Sequence, residues 1–195
     1  MEQANFHIAH CTNCGAANRI PAAKTGKAAK CGKCHTLLPA DRKKMAAGEA
    51  VKMRCTQCGT KNKIPADKID AGAKCGKCGA ALKTEALCEP QPLMVTDSNF
   101  EDTVMKSPLP VLLFAWAPWC TSCAAVTPII DQFASESKGK VRVGKMNIDS
   151  NQNLAAKFNI LSVPFLFIFD RGEMQESIPG GLQKHELMLK MAPYI

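Results

Sequence analysis

At 195 residues the chain has room for one ordinary domain and something smaller, and its 46% apolar content is that of a globular protein. No run approaches the ~18 apolar residues of a membrane span, so a membrane protein is not expected. The formal charge of +8 is uneven: residues 1–90 hold 16 Lys and Arg against 7 Asp and Glu, and residues 91–195 hold 9 against 10.

The start of the chain, Met1-Glu2-Gln3-Ala4-Asn5, has neither a basic stretch nor an apolar core. No secretory signal is expected, and cytoplasmic residence is the default. Residues 1–10 show no sustained periodicity and read as a tail.

From Cys11 a repeat begins. Cys11-Thr12-Asn13-Cys14-Gly15 returns 44 residues later as Cys55-Thr56-Gln57-Cys58-Gly59. Asn18-Arg19-Ile20-Pro21-Ala22 returns as Asn62-Lys63-Ile64-Pro65-Ala66, and Lys30-Cys31-Gly32-Lys33-Cys34 as Lys74-Cys75-Gly76-Lys77-Cys78. Aligned without gaps, residues 11–40 and 55–84 share 16 identities in 30. This is a tandem duplication.

Each copy carries two Cys-x-x-Cys pairs separated by 16 residues, within zinc-site spacing. A copy of about 30 residues with three large apolar side chains cannot bury a core sufficient to fold alone. A tetrahedral ion held by four thiolates supplies the missing free energy. We therefore expect two zinc ribbons, at 11–40 and 54–84, each holding one Zn2+. Their ligands would be Cys11, Cys14, Cys31 and Cys34, then Cys55, Cys58, Cys75 and Cys78. Glycines at 15, 32, 59, 76 and 79 would ease the tight turns. His10 and His35 flank ligand cysteines but are bystanders, because four sulfurs are already present. The rival reading makes these pairs redox-active dithiols; a separate alternative is a redox-linked zinc sensor, whose ribbons bind the metal and release it on oxidation.

Four thiolates on one zinc leave a charge of −2, so the basic half partly balances its own metal sites. That half has one aromatic residue, Phe6. Base stacking is nearly absent, and nucleic-acid binding is not expected.

Residues 41–53 read as a basic, alanine-rich linker. Residues 85–92 read as a second one, stiffened by Pro90 and Pro92 and carrying the odd cysteine, Cys88. From Leu93 the pattern turns to alternating strands and helices. A short strand is expected at 93–95, and a helix opened by a Ser98-x-x-Glu101 capping box as far as 106. A fully apolar strand at 111–115 leads to Pro118-Trp119-Cys120-Thr121-Ser122-Cys123. Apolar spacing from Ala124 to Phe133 then predicts a helix, broken or kinked near Pro128. A strand at 141–147, a helix at 151–158, a strand at 165–169, a turn at Arg171-Gly172, a strand at 174–178 and a helix at 185–191 complete the chain. Apolar strands alternating with helices give an α/β fold with a central sheet covered on both faces.

Cys120 falls at a helix N-terminus, where free N–H groups and the helix dipole favour a thiolate. Cys123 lies one turn on, in reach of it. The pair is a dithiol able to close and open a small disulfide ring.

With these motifs in place, residues 93–195 resemble the thioredoxin family. Trp116-Ala117-Pro118-Trp119-Cys120-x-x-Cys123 is similar to its active-site signature, and Lys145-Met146-Asn147-Ile148-Asp149 to the strand after its long helix. Ser162-Val163-Pro164 resembles its cis-proline loop, Phe167 to Glu173 its hairpin, and Gly180-Gly181-Leu182 its last glycine turn. The ribbons ahead of the domain are similar to those of zinc-ribbon thioredoxins. The resemblance implies a thioredoxin fold, a central mixed sheet flanked by helices. It implies a cytosolic protein disulfide reductase that acts on client proteins and is recycled by a thioredoxin reductase. Cys120 would be the attacking thiolate and Cys123 the buried resolving thiol. Trp119 would wall the site, and Pro164 would lie beside the dithiol. Three residues depart from the family pattern. Thr121-Ser122 replaces Gly-Pro, Phe114 stands at the usual buried acid, and Ala124 replaces a basic residue. Lys145, without that acid, is expected to be neutral or to reach solvent.

Overall fold

A computed structural model describes residues 6–10, 16–21, 29–33, 50–65, 68–69, 71–84, 87 and 89–195. The chain divides into two compact units, Met1–Lys44 and Met45–Ile195. In the first, strand β1 (Phe6–His10) pairs antiparallel with β2 (Ala17–Pro21), Phe6 opposite Pro21 and His10 opposite Ala17. In the second, β3 (Ala50–Arg54) pairs the same way with β4 (Lys61–Pro65). Two stretches expected to be irregular, the tail and the end of the first linker, therefore contain strand. In each copy the apolar alternation (Phe6 and Ile8, Val51 and Met53) covers only five residues, too few to stand out. Pairing with the Asn-[Arg/Lys]-Ile-Pro segment supplies the order that the pattern alone does not.

Val51, Met53, Ile64, Ile69 and Leu82 form the small core of the second ribbon, closed by Cys55 and Cys75. Leu87 and Leu109, from outside the repeat, complete that cluster. The Arg54 N–H donates to the Pro108 carbonyl at 2.9 Å, and the Gly139 N–H to the Leu87 carbonyl at 2.9 Å. The Arg54 guanidinium meets the Asp170 carboxylate at 3.3 Å, with side-chain exposures of 17% and 10%. The second ribbon is thus docked on the domain that follows it.

That domain is a five-stranded mixed sheet in the order β5-β7-β6-β8-β9. Its strands are β5 (Leu93–Met94), β6 (Val111–Trp116), β7 (Arg142–Asn147), β8 (Phe165–Asp170) and β9 (Glu173–Pro179). β7 runs parallel to β5 and β6, while β8 is antiparallel to β6 and β9. Apolar side chains alternate between two faces, as the pleat dictates. Leu112, Phe114, Leu166 and Ile168 pack under helix α1 (Thr121–Glu136) and helix α3 (Lys184–Met191). Val111, Leu113, Ala115, Phe167 and Phe169 pack on the other face with Phe100, Val104 and Leu154 of helix α2 (Gln152–Lys157).

Two helix expectations are corrected. Residues Glu101–Met105 form a π-helical turn with no side-chain cap, and Asn99 Oδ1 instead accepts the Thr96 N–H at 2.8 Å. The Ser98 hydroxyl is 3.0 Å from that of Thr96 and does no capping. Helix α1 runs unbroken through Pro128. One missing N–H is outweighed there by the burial of Ile130, Phe133 and Ala134 in the core.

Candidate active site and metal centre

β6 delivers the chain to Cys120, which is the N-cap of α1. Its Sγ accepts the Cys123 N–H at 3.0 Å, so the sulfur itself satisfies one of the helix's orphan donors. The Ser122 hydroxyl lies 3.4 Å from the same sulfur, and the Val163 carbonyl oxygen 3.5 Å away. Cys120 and Cys123 are joined as a disulfide, with Cα atoms 5.2 Å apart. Cys120 keeps 6% of its surface exposed and Cys123 only 1%. The exposed edge of the pair is therefore Cys120.

The Val163–Pro164 peptide is cis. The Pro164 carbonyl accepts the Gly180 N–H at 2.9 Å, which joins the proline loop to the glycine turn. A Cβ on Gly181 would lie 2.2 Å from Val126 Cγ2, so the turn packs on α1 at a distance only glycine allows. Trp119 is 67% exposed, and its Nε1–H donates to the Asp149 carboxylate at 3.1 and 3.3 Å. Trp116 packs against the buried cluster that holds both cysteines.

Phe114 is fully buried in that cluster. Its register partner on β7 is Lys145. Contrary to expectation, Lys145 neither lacks an acid nor escapes to solvent: 15% exposed, it pairs with Asp131 of α1. The sequence alone singles out neither Asp131 nor Asp149. Asp131 sits eight residues beyond Cys123, two turns of one helix and so on a similar face, the only local signal for it.

In the second ribbon, the sulfurs of Cys55, Cys58, Cys75 and Cys78 all lie within 4.8 Å of one another. Cys55 and Cys78 are 3.6 Å apart, as are Cys58 and Cys75. Tetrahedral zinc with Zn–S of about 2.3 Å needs sulfurs about 3.8 Å apart, so the four residues fit the ion. Two matched turns present them. The Cys55 N–H donates to the Thr60 carbonyl and the Gly59 N–H to the Cys55 carbonyl, both at 2.9 Å. The Cys75 N–H donates to Ala80 at 2.8 Å and the Gly79 N–H to Cys75 at 2.9 Å. Gly59 (φ 70°) and Gly79 (φ 72°) take the left-handed conformation that closes each turn.

The electrostatics of the set also ask for a cation. The backbone N–H groups of Cys78 and Lys77 hold the Cys75 thiol down to about 6. The side chain and backbone of Thr60 lower Cys58. The Ala80 N–H would lower Cys78, yet the Cys58 thiol, burial and the thiols of Cys55 and Cys75 push it up to about 12. Four crowded thiols cannot all ionise unless positive charge joins them. In the first ribbon Cys31 is described and buried, whereas Cys11, Cys14 and Cys34 lie outside the described residues, as do His35 and Cys88.

Family models match both parts of the chain. The model described as Thioredoxin matches residues 91–192. The one described as Thioredoxin 2, N-terminal, matches twice, at 10–36 and 54–80. The thioredoxin of Rickettsia felis is 47% identical over 94 residues, which cover 48% of this chain and 90% of that protein. The thioredoxin of Synechocystis is 39% identical over 101 residues, covering 52% and 94%. The fold and the duplicated zinc-ribbon organisation expected from the sequence agree with these matches.

Proposed function

Since the chain belongs to the thioredoxin family and is a thiol–disulfide oxidoreductase, we propose that it reduces disulfides in client proteins through Cys120 and Cys123. The observation that carries this reading is the place of Cys120 Sγ, at the N-cap of α1 and 3.5 Å from the Val163 carbonyl that precedes cis-Pro164.

The Cys120 thiolate attacks one sulfur of a client disulfide. The client S–S bond breaks, its second sulfur leaves as a thiolate and takes a proton, and a mixed disulfide to Cys120 forms. Cys123, deprotonated, then displaces the client sulfur. Two electrons pass to the client, and Cys120–Cys123 becomes the disulfide. A thioredoxin reductase supplies two electrons to reopen it. Thiolate is favoured at Cys120 by the Cys123 N–H and the helix N-terminus. Pro164 has no N–H to compete with an extended client strand, and Trp119 walls one side of the dithiol. With Phe114 buried in the same cluster as Cys123, no carboxylate at that position takes the Cys123 proton. Water, with the Ser122 hydroxyl as a relay, is left to carry that proton to the departing client thiolate.

Each ribbon holds one Zn2+: Cys55, Cys58, Cys75 and Cys78 in the second, and by the repeat Cys11, Cys14, Cys31 and Cys34 in the first. The ion supplies cross-linking and charge compensation. The second ribbon packs at Pro108–Leu109, before the start of β6, whereas the dithiol follows its end, about 20 Å along the strand. That position favours a supporting role over a place in the catalytic groove. We place the protein in the cytoplasm, where thiols stay reduced and the ribbon cysteines remain free to ligate. Insulin reduction coupled to NADPH and a thioredoxin reductase tests the reading. Cys120→Ser is expected to abolish turnover, and turnover that survives it overturns the proposal.

A further inference from the structure

The Asn-[Arg/Lys]-Ile-Pro motif recurs in both ribbons, and zinc ligation does not use it. Its asparagine makes the same three contacts in each copy. Asn62 Nδ2 donates to the Thr60 carbonyl at 2.9 Å and to Cys75 Sγ at 3.6 Å, and its Oδ1 accepts the Gly76 N–H at 3.0 Å. Asn18 Nδ2 donates to the Ala16 carbonyl at 2.8 Å and to Cys31 Sγ at 3.6 Å, and its Oδ1 accepts the Gly32 N–H at 2.9 Å. The two copies lie in separate compact units, so the arrangement arises twice. The amide orientation is fixed by its neighbours. Turned over, it would set NH2 against an N–H and oxygen against a carbonyl.

These contacts join the two halves of a metal site. Thr60 ends the turn that carries Cys55 and Cys58, since its carbonyl also accepts the Cys55 N–H. Cys75 and Gly76 open the turn that carries the other two sulfurs. One side chain therefore ties the first Cys-x-x-Cys turn to the second and gives a hydrogen bond to a ligand sulfur. Four thiolates leave a zinc site with charge −2, and an N–H donated to one sulfur relieves that charge and aims its lone pair.

We propose that Asn18 and Asn62 are positioning residues for the zinc ions, each holding the third cysteine of its ribbon, Cys31 or Cys75, in ligating geometry. The proposal rests on the zinc reading above. Removing such a partner lowers metal affinity by about 10–100-fold. The full chain loaded with zinc is mixed with the chromophoric chelator 4-(2-pyridylazo)resorcinol, and release is followed in time. Asn62→Ala is expected to release one of the two ions about 10–100-fold faster and leave the other at its wild-type rate, and Asn18→Ala to do the converse. Asn62→Asp keeps the bond from the Gly76 N–H and removes both Nδ2 donations, to Cys75 Sγ and to the Thr60 carbonyl, at nearly unchanged side-chain volume. It too is expected to release one ion faster. With Co2+ in place of zinc, the sulfur-to-metal charge-transfer band of that site should move to lower energy, a change that loosened packing alone would not produce. Wild-type release and an unmoved band in Asn62→Asp overturn the proposal, whatever Asn62→Ala does. A wild-type chain that takes up no zinc sinks the zinc reading itself, before any variant is compared, and this proposal with it.

Discussion

The ammonium of Lys145 is paired with the carboxylate of Asp131, although the register partner of Lys145 on the neighbouring strand is Phe114. The pair spans sheet and helix, with the lysine 15% and the aspartate 47% exposed. Half-exposed pairs contribute less than buried ones, but this lysine has little access to water of its own. Asp131→Asn should destabilise the protein by about 1 kcal/mol in urea unfolding, with the denaturant dependence unchanged.

The Arg54–Asp170 pair at the ribbon seam is more enclosed, and removing one partner strands the other. Asp170→Asn should cost about 2 kcal/mol, since Arg171 reaches the same carboxylate only from a 68% exposed position. For a unit of this size that is about 4–8 °C of melting temperature, measurable by circular dichroism.

Much of the sheet is written in local pattern. The apolar runs of β6 and β8 and the turn at Arg171-Gly172, both residues at positive φ, announce themselves. So do the eight paired cysteines, because their spacing is a property of the chain. What was hidden depends on distant neighbours. Leu87 and Leu109 look like linker and loop residues, yet they close the ribbon core. Asp131 becomes the partner of Lys145 only when α1 lies across β7. Ser98-x-x-Glu101 has the spacing of a capping box, but the turn begins two residues earlier: the Thr96 carbonyl accepts the Phe100 N–H at 3.0 Å, the Thr96 N–H donates to Asn99 Oδ1, and the chain goes on into a π-helical turn. The true box is Gln183 with Glu186, whose carboxylate accepts the Gln183 N–H at 2.7 Å, and glutamine is not a usual cap.

Gly181 lies against α1 just beyond the dithiol, where an added Cβ would meet Val126 Cγ2 at 2.2 Å. Gly181→Ala should cost about 2 kcal/mol by overpacking. Val126→Ala in the same chain should restore part of that loss, which a double-mutant cycle on thermal unfolding will read.

A structural role for the ribbons fixes the order of events under oxidant. Metal analysis should find close to two zinc ions per chain. In mild peroxide, Cys120 and Cys123 should form their disulfide before zinc appears in a chelator assay. Zinc release ahead of dithiol oxidation would favour a metal-releasing sensor.

Cys120 and Cys123 divide the work of the dithiol, and trapping the mixed disulfide distinguishes their roles. Cys123→Ser, with Cys120 left as the one attacking thiol of the pair, is mixed with a disulfide client such as insulin, and adducts are located by peptide mass spectrometry under non-reducing conditions. A stable mixed disulfide is expected at Cys120 in Cys123→Ser and none at Cys123 in Cys120→Ser. An adduct at Cys123 in the latter variant, or none at Cys120 in the former, would contradict that division.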